Sequence, residues 1–124
     1  IAYPTRDGTA RVSTVAATML DIADDLTRAA GIDNAATVII ELSEHHAFQI
    51  NDLVQLAPSF PAAAGRRVGW ILSRFTDRDD LEPLRRIVAS SAASPSRLDP
   101  FTTATRPVDT AWMLAINREL EPEA

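Results

Sequence analysis

The stretch from residue 66 to residue 86 carries six arginines against four acids, and it is where this chain is best equipped to hold another molecule. Val68, Ile71, Leu72 and Phe75 follow the i, i+3, i+4, i+7 spacing of an apolar helix face. The 100° step per residue then sets Arg66, Trp70 and Arg74 together on the other side, with Arg67 and Arg78 flanking them. Tryptophan and arginine anchor interfaces, and a guanidinium over an indole gains about 0.5–2 kcal/mol. These five residues are therefore the expected partner-binding face, suited to an acidic protein surface. Trp70 has a second reading, packing against the tail of its own domain, and on either reading the arginines are expected outside. Asp77, Asp79, Asp80 and Glu82 stand close enough to neutralise part of the patch. Gly65 and Gly69 fit the close approach of another backbone or tight internal packing.

Other chemistry is harder to assemble. His45-His46 is the one histidine pair, with Glu41 four residues before it and Asp52 the nearest further ligand, but the spacing is not that of a zinc helix and favours solvated histidines at a helix end. Asp21, Asp24 and Asp25 share adjacent turns, yet four glycines at 8, 31, 65 and 69 form no phosphate cradle beside them. Asp24 and Asp25 read as solvated, and Asp21, between Leu20 and Ile22, as paired or capping. No serine sits in a nucleophile elbow. The absence of cysteine excludes disulfides, thiolate metal sites and thiol nucleophiles. No catalytic residue, metal or cofactor is expected.

The elements that would position the arginines form a helical body with an extended tail. Helices are expected over 13–29 (Ser13 as cap, Gly31 as stop), 34–45 (Asp33 as cap), 52–57, 61–76 and 80–91. The last of these starts with a capping box from Asp79 to Glu82. Around Ser90–Ser96 the composition turns to Ser, Ala and Pro, and Leu98-Asp99-Pro100 and Arg106-Pro107-Val108-Asp109 read as loops. Trp112, Leu114 and Ile116 alternate as in a half-buried strand, though a helical turn also fits. Pairing of 9–12 with 112–117 would close a small sheet. The expected fold is α+β, mainly α, as one domain over 1–124.

With 124 residues, a single core burying roughly two-thirds of the unfolded surface needs no metal or crosslink. All 12 basic residues are arginine, the net charge is −5 and the pI is near 4.9, which argues against a free-standing nucleic-acid binder. No apolar run approaches the roughly 20 residues of a membrane span, no signal peptide is expected from the sequence, and the expected location is cytoplasmic. The start at Ile1 reads as a piece of a longer protein.

Several segments in order carry a resemblance: Arg11-Val12-Ser13 leading to Thr18-Met19-Leu20-Asp21, Gly31-Ile32-Asp33-Asn34, Ala64-Gly65-Arg66-Arg67-Val68-Gly69-Trp70-Ile71-Leu72, Leu81-Glu82-Pro83-Leu84, and Trp112-Met113-Leu114 near Asn117. Together, over nearly the whole chain, they resemble the C-terminal region of AbiEi-type antitoxins, bacterial proteins frequent in actinobacteria and encoded beside a nucleotidyltransferase-like toxin in type IV or related phage-defence pairs. The resemblance implies an antitoxin domain whose partner is the cognate toxin or the toxin's target. It also implies a parent that represses its own operon, binding operator DNA through an N-terminal winged helix outside this chain, with a homodimer as a further assembly. It supplies no catalytic set, and it assigns no role to the signature positions Arg66, Arg67, Gly69 and Trp70. Two other classes stand beside it: a nucleic-acid-binding domain using the 66–86 arginines, and a small metal-dependent hydrolase using Asp21, Glu41 and His45.

Overall fold

Apolar periodicity becomes helix in five places of the computed structural model, which describes residues 14–90, 94–102, 107–120 and 122. The helices are α1 (Thr14–Asp24), α2 (Ile32–Ser43), α3 (Ile50–Leu56), α4 (Ala62–Phe75) and α5 (Glu82–Ser90), with a 3₁₀ turn at Ala57–Ser59 between α3 and α4. Three two-residue strands follow, β1 (Ser96–Arg97), β2 (Val108–Asp109) and β3 (Leu114–Ala115), in the order β1-β3-β2. The fold is α+β and mainly helical. No helix among the described residues is long and apolar enough to cross a membrane.

Helix α4 is the axis of the domain. It packs against α1, α2, α5, β1 and β3, and every residue from Ala64 to Leu72 is buried. Around it lie Met19, Leu20 and Ala23 of α1, Ala35 and Ile39 of α2, Leu53 of α3, Leu84 and Val88 of α5, and Leu98 and Leu114 of the tail. Burial of such side chains, at about 25 cal/mol per Å² of apolar area, drives the assembly.

Helix ends differ from the expected ones for local reasons. The first helix stops at Asp24 rather than 29, because the Asp25 carboxylate accepts the Arg28 N–H (3.2 Å) and so begins a separate turn. That turn closes as a Schellman motif: Gly31 N–H bonds Leu26 O (2.8 Å) and Ala30 N–H bonds Thr27 O (3.2 Å). The left-handed residue of the motif is Ala30, φ 63°, one position before the glycine expected to end the helix. Gly31, φ 97°, is already the cap of α2, so Asp33 lies within the first turn, where its charge favours the helix dipole. Replacing Ala30 by glycine relieves the left-handed strain, and we expect a gain of about 0.5–1 kcal/mol in chemical denaturation.

The expected capping box before α5 does not form. The helix begins at Glu82, whose carboxylate turns forward to Arg85 (2.7 and 2.5 Å) and Arg86 (3.3 Å). The Arg85 and Arg86 guanidinium groups hold the Glu82 carboxyl down to about 2, with Arg85 the larger cause. A depressed carboxylate contributes stability that is present above its ordinary pKa and is lost as pH falls through the folded value. Glu82→Gln is accordingly expected to flatten the acid limb of a stability profile between about pH 4.5 and pH 2, and a carbon-detected titration of Glu82 should show a midpoint near 2.

The sheet also departs from expectation. β3 is the central strand, parallel to β1 (Ser96↔Leu114) and antiparallel to β2 (Val108↔Ala115), so both of its edges are taken by segments that read as loops in the sequence. The extended part of 112–117 is only Leu114–Ala115, since Trp112 lies in a turn and Met113 is left-handed, φ 52°. The expected partner strand 9–12 and the Ser13 cap lie outside the described residues.

Candidate functional site

The two arginines expected to head the exposed face point into the domain. Arg66 is 0% exposed. Its Nε donates to Val88 O (2.8 Å), and one terminal nitrogen donates to Ser94 O (2.8 Å), Ser96 Oγ (3.2 Å) and Met113 O (3.2 Å). Arg67, 7% exposed, donates from Nε to Arg97 O (3.0 Å) and from a terminal nitrogen to Ala23 O (2.8 Å).

These contacts have a common logic. Val88 O and Ala23 O lie in the last described turns of α5 and α1, toward the negative end of each helix dipole. Neighbouring arginines of one helix thus cap the C-terminal ends of two others and, with their remaining N–H groups, fasten the tail. Guanidinium suits the task because it presents five donors in a rigid plane. Burial lowers the pKa of Arg66. Burial is also the main influence lowering Arg67, opposed by the charges of Asp24 and Asp99 and assisted by Arg97. Arginine's ordinary value is so high that both remain cationic.

Trp70 is buried too, and packs edge-on against Phe75 at 5.9 Å between ring centroids. The tail lies over the same stretch of α4: a Cβ placed on Gly69 would stand 2.0 Å from Cζ3 of Trp112. Gly65 serves the other side in the same way, since a Cβ there would lie 2.5 Å from Val88 Cγ1. Of the two readings of these glycines, internal packing is the one realised.

The expected partner-binding set therefore divides. Arg66, Arg67 and Trp70 are corrected to interior residues, since α4 is wrapped by the tail on the side that its amphipathic pattern leaves polar. Arg78 is partly exposed but occupied: it makes a two-pronged ion pair with Asp80 (3.0 and 2.7 Å), reaches Ser43 O (3.4 Å) and lies over the Phe48 ring at 4.8 Å. The Arg78 hydrogen bonds hold the Asp80 carboxyl below its ordinary range. Arg74 alone of the five stands exposed, beside the Phe75 ring at 5.9 Å.

The residues of the hydrolase alternative are not brought together. Among the described residues no three His, Asp or Glu side chains stand close enough to share a metal ion. Asp21 is exposed on α1, lining a shallow hollow with Thr18, Ile22, Asp25, Arg28 and Ala29. His45 and His46 stack at 4.4 Å beyond the end of α2, and His45 Nδ1 accepts the Ala47 N–H (3.0 Å), which ties that ring to its own turn. Glu41 is exposed on α2 and Asp52 lies in the first turn of α3.

A polar network under the tail escapes sequence reasoning. Asn117 Oδ1 accepts Asp99 N–H (3.0 Å) while its amide donates to Asp99 O (2.9 Å). The buried Asp99 carboxylate accepts Phe101 N–H (2.9 Å) and Arg118 (3.0 Å), and Arg118 also pairs with Asp33 at the start of α2. No spacing rule in the sequence ties Asn117 to Asp99. The segment from Ile116 to Glu119 separates two hollows, one shared with Pro107, Val108 and Asp109, the other with the end of α4. Family models, curated proteins and solved structures alike offer no match to this chain.

Proposed function

We propose that this chain is a protein-interaction domain of the AbiEi antitoxin kind, which counters a nucleotidyltransferase-like toxin by presenting a surface and transforms no substrate itself. The observation that carries this reading is the convergence of the segments on which the resemblance rests. Trp112 lies on Gly69, Met113 O accepts from Arg66, Leu114 forms the central strand, Asn117 holds Asp99, and Asp33 meets Arg118. These contacts support reading the segments as parts of one structural unit.

The same geometry weighs against the nucleic-acid alternative. Of the six arginines at 66–86, two face backbone carbonyls inside the domain and three pair with Asp80 or Glu82, which leaves Arg74. Phosphate binding needs several free cations acting together. The reading expects a nucleotidyltransferase-like toxin to be encoded beside the gene, and it is tested by co-expressing that toxin with the chain. Restored growth is the expected result. Failure of the folded chain to restore growth overturns the proposal.

A further inference from the structure

We propose that the hollow between the C-terminal half of α4 and the tail is a docking pocket for an extended segment of a protein partner that carries a large apolar side chain next to a carboxylate. This rests on the interaction-domain reading above and specifies what that surface takes.

The pocket has apolar walls from Trp70, Phe75, Ile116 and Leu120 and a volume of about 180 Å³, room for one large side chain. Its rim is charged, by Arg74, Arg118 and Glu119. Arg118 is turned onto Asp33 and Asp99. Arg78, Arg85 and Arg86 of the neighbouring surface each have a carboxylate. Arg74 is the exception: among the described residues its guanidinium meets the Phe75 ring and no acid, in a chain that carries a net charge of −5. A guanidinium that meets no acid among the described residues, at the mouth of an apolar hollow, is complementary to an incoming carboxylate attached to an apolar group. Glu119 on the same rim limits that complementarity to a single acid, because a polyacidic segment would meet its charge, whereas a backbone N–H can donate to it.

The apolar surface does not end at the pocket. Past Ile116 it enters the second hollow, where Val108 is 38% exposed on the outer strand of the sheet. A segment laid across Ile116 would therefore contact Val108 a few residues from its anchor in the pocket, which favours an extended chain over a single buried side chain. Anchoring by one apolar side chain with an adjacent ion pair is the usual anatomy of a small interface centre.

The test is selection from a phage-displayed library of random twelve-residue peptides against the full chain, repeated on Arg74→Glu and, as a control at another exposed arginine, on Arg28→Glu. The expected result is enrichment of peptides with a Leu, Ile, Met or Phe within two positions of one Asp or Glu, at least tenfold weaker on Arg74→Glu and unchanged on Arg28→Glu. For a selected peptide, the Trp70 indole N–H should shift on titration. Absence of enrichment, equal enrichment on Arg74→Glu, or selection of basic or polyacidic motifs overturns the proposal. So does a chain that elutes as a dimer and becomes a monomer in Arg74→Glu, because the pocket's occupant is then a second copy. A failed selection with intact rescue from the toxin removes the pocket and leaves the interaction-domain reading standing; successful selection without rescue supports the pocket and removes the toxin as partner.

Discussion

Replacing Arg66 by methionine is expected to lower the unfolding free energy by about 3–5 kcal/mol, a large fraction of the 5–15 kcal/mol typical of a domain. Methionine matches much of the volume, so the loss isolates the hydrogen bonds. Exchanging a buried ion pair for apolar groups is often neutral, but that holds when both partners are removed. Here the acceptors are Val88 O, Ser94 O and Met113 O, backbone groups that no side-chain substitution can delete. Each bond from the guanidinium that is lost without replacement costs about 1.5–3 kcal/mol; Met113 O keeps its bond from Ser96 N–H (3.0 Å), and the desolvation of the cation that is no longer needed offsets part of the loss. Arg66→Lys keeps the charge but has one nitrogen, which cannot serve α5 and the tail at once, so an intermediate loss is expected. Urea melts of the three proteins decide the matter; equal stability of wild type and Arg66→Met would show that the bonds contribute nothing.

Gly69→Ala is expected to be the second most damaging single change, by about 3 kcal/mol, although alanine is the better helix former by roughly 1 kcal/mol. The added methyl would stand 2.0, 2.5 and 2.6 Å from three carbons of the Trp112 ring, which is itself only 4% exposed. The ring cannot retreat alone. Trp112 precedes Met113, whose left-handed backbone aims its carbonyl at Arg66, so moving the indole disturbs the arginine's acceptor. A double-mutant cycle with Trp112→Leu should show a coupling of at least about 1 kcal/mol, with the leucine absorbing part of the Gly69→Ala penalty. Additive losses would place the clash elsewhere.

The helices are readable in the sequence because their signal is local. Val68, Ile71 and Leu72 are buried as their spacing requires, and Phe75 is half-buried. The environment of the opposite face is not readable. Periodicity identifies which side of α4 is apolar, but whether the remaining side meets water depends on where the tail lies, and that is fixed by contacts between residues far apart in the chain. Arg66 meets residue 113, and Arg67 meets residues 23 and 97. A charged residue flanked by glycines on a helix that precedes an aromatic-bearing tail is a usable signal of close packing, since Gly65 and Gly69 leave room for Val88 and Trp112. The strands are hidden for a related reason: two residues each, they carry too little alternation to register, and β1 and β2 owe their form to pairing with β3. Of the candidate site, Arg74 survives at the surface because nothing in the described tail covers it, and its apolar surroundings come from residues 116 and 120, which no pattern links to α4.

Adjacent arginines of α4 hold the domain together from inside, and the most direct test is hydrogen exchange at the arginine Nε–H groups, observed by nitrogen-15 NMR and assigned with Arg66→Lys and Arg67→Lys. The Nε–H of Arg66, bonded to Val88 O, and that of Arg67, bonded to Arg97 O, should persist for far longer in D₂O than that of exposed Arg74. Exchange of both at the rate of Arg74 would contradict the account and return the pair to the surface.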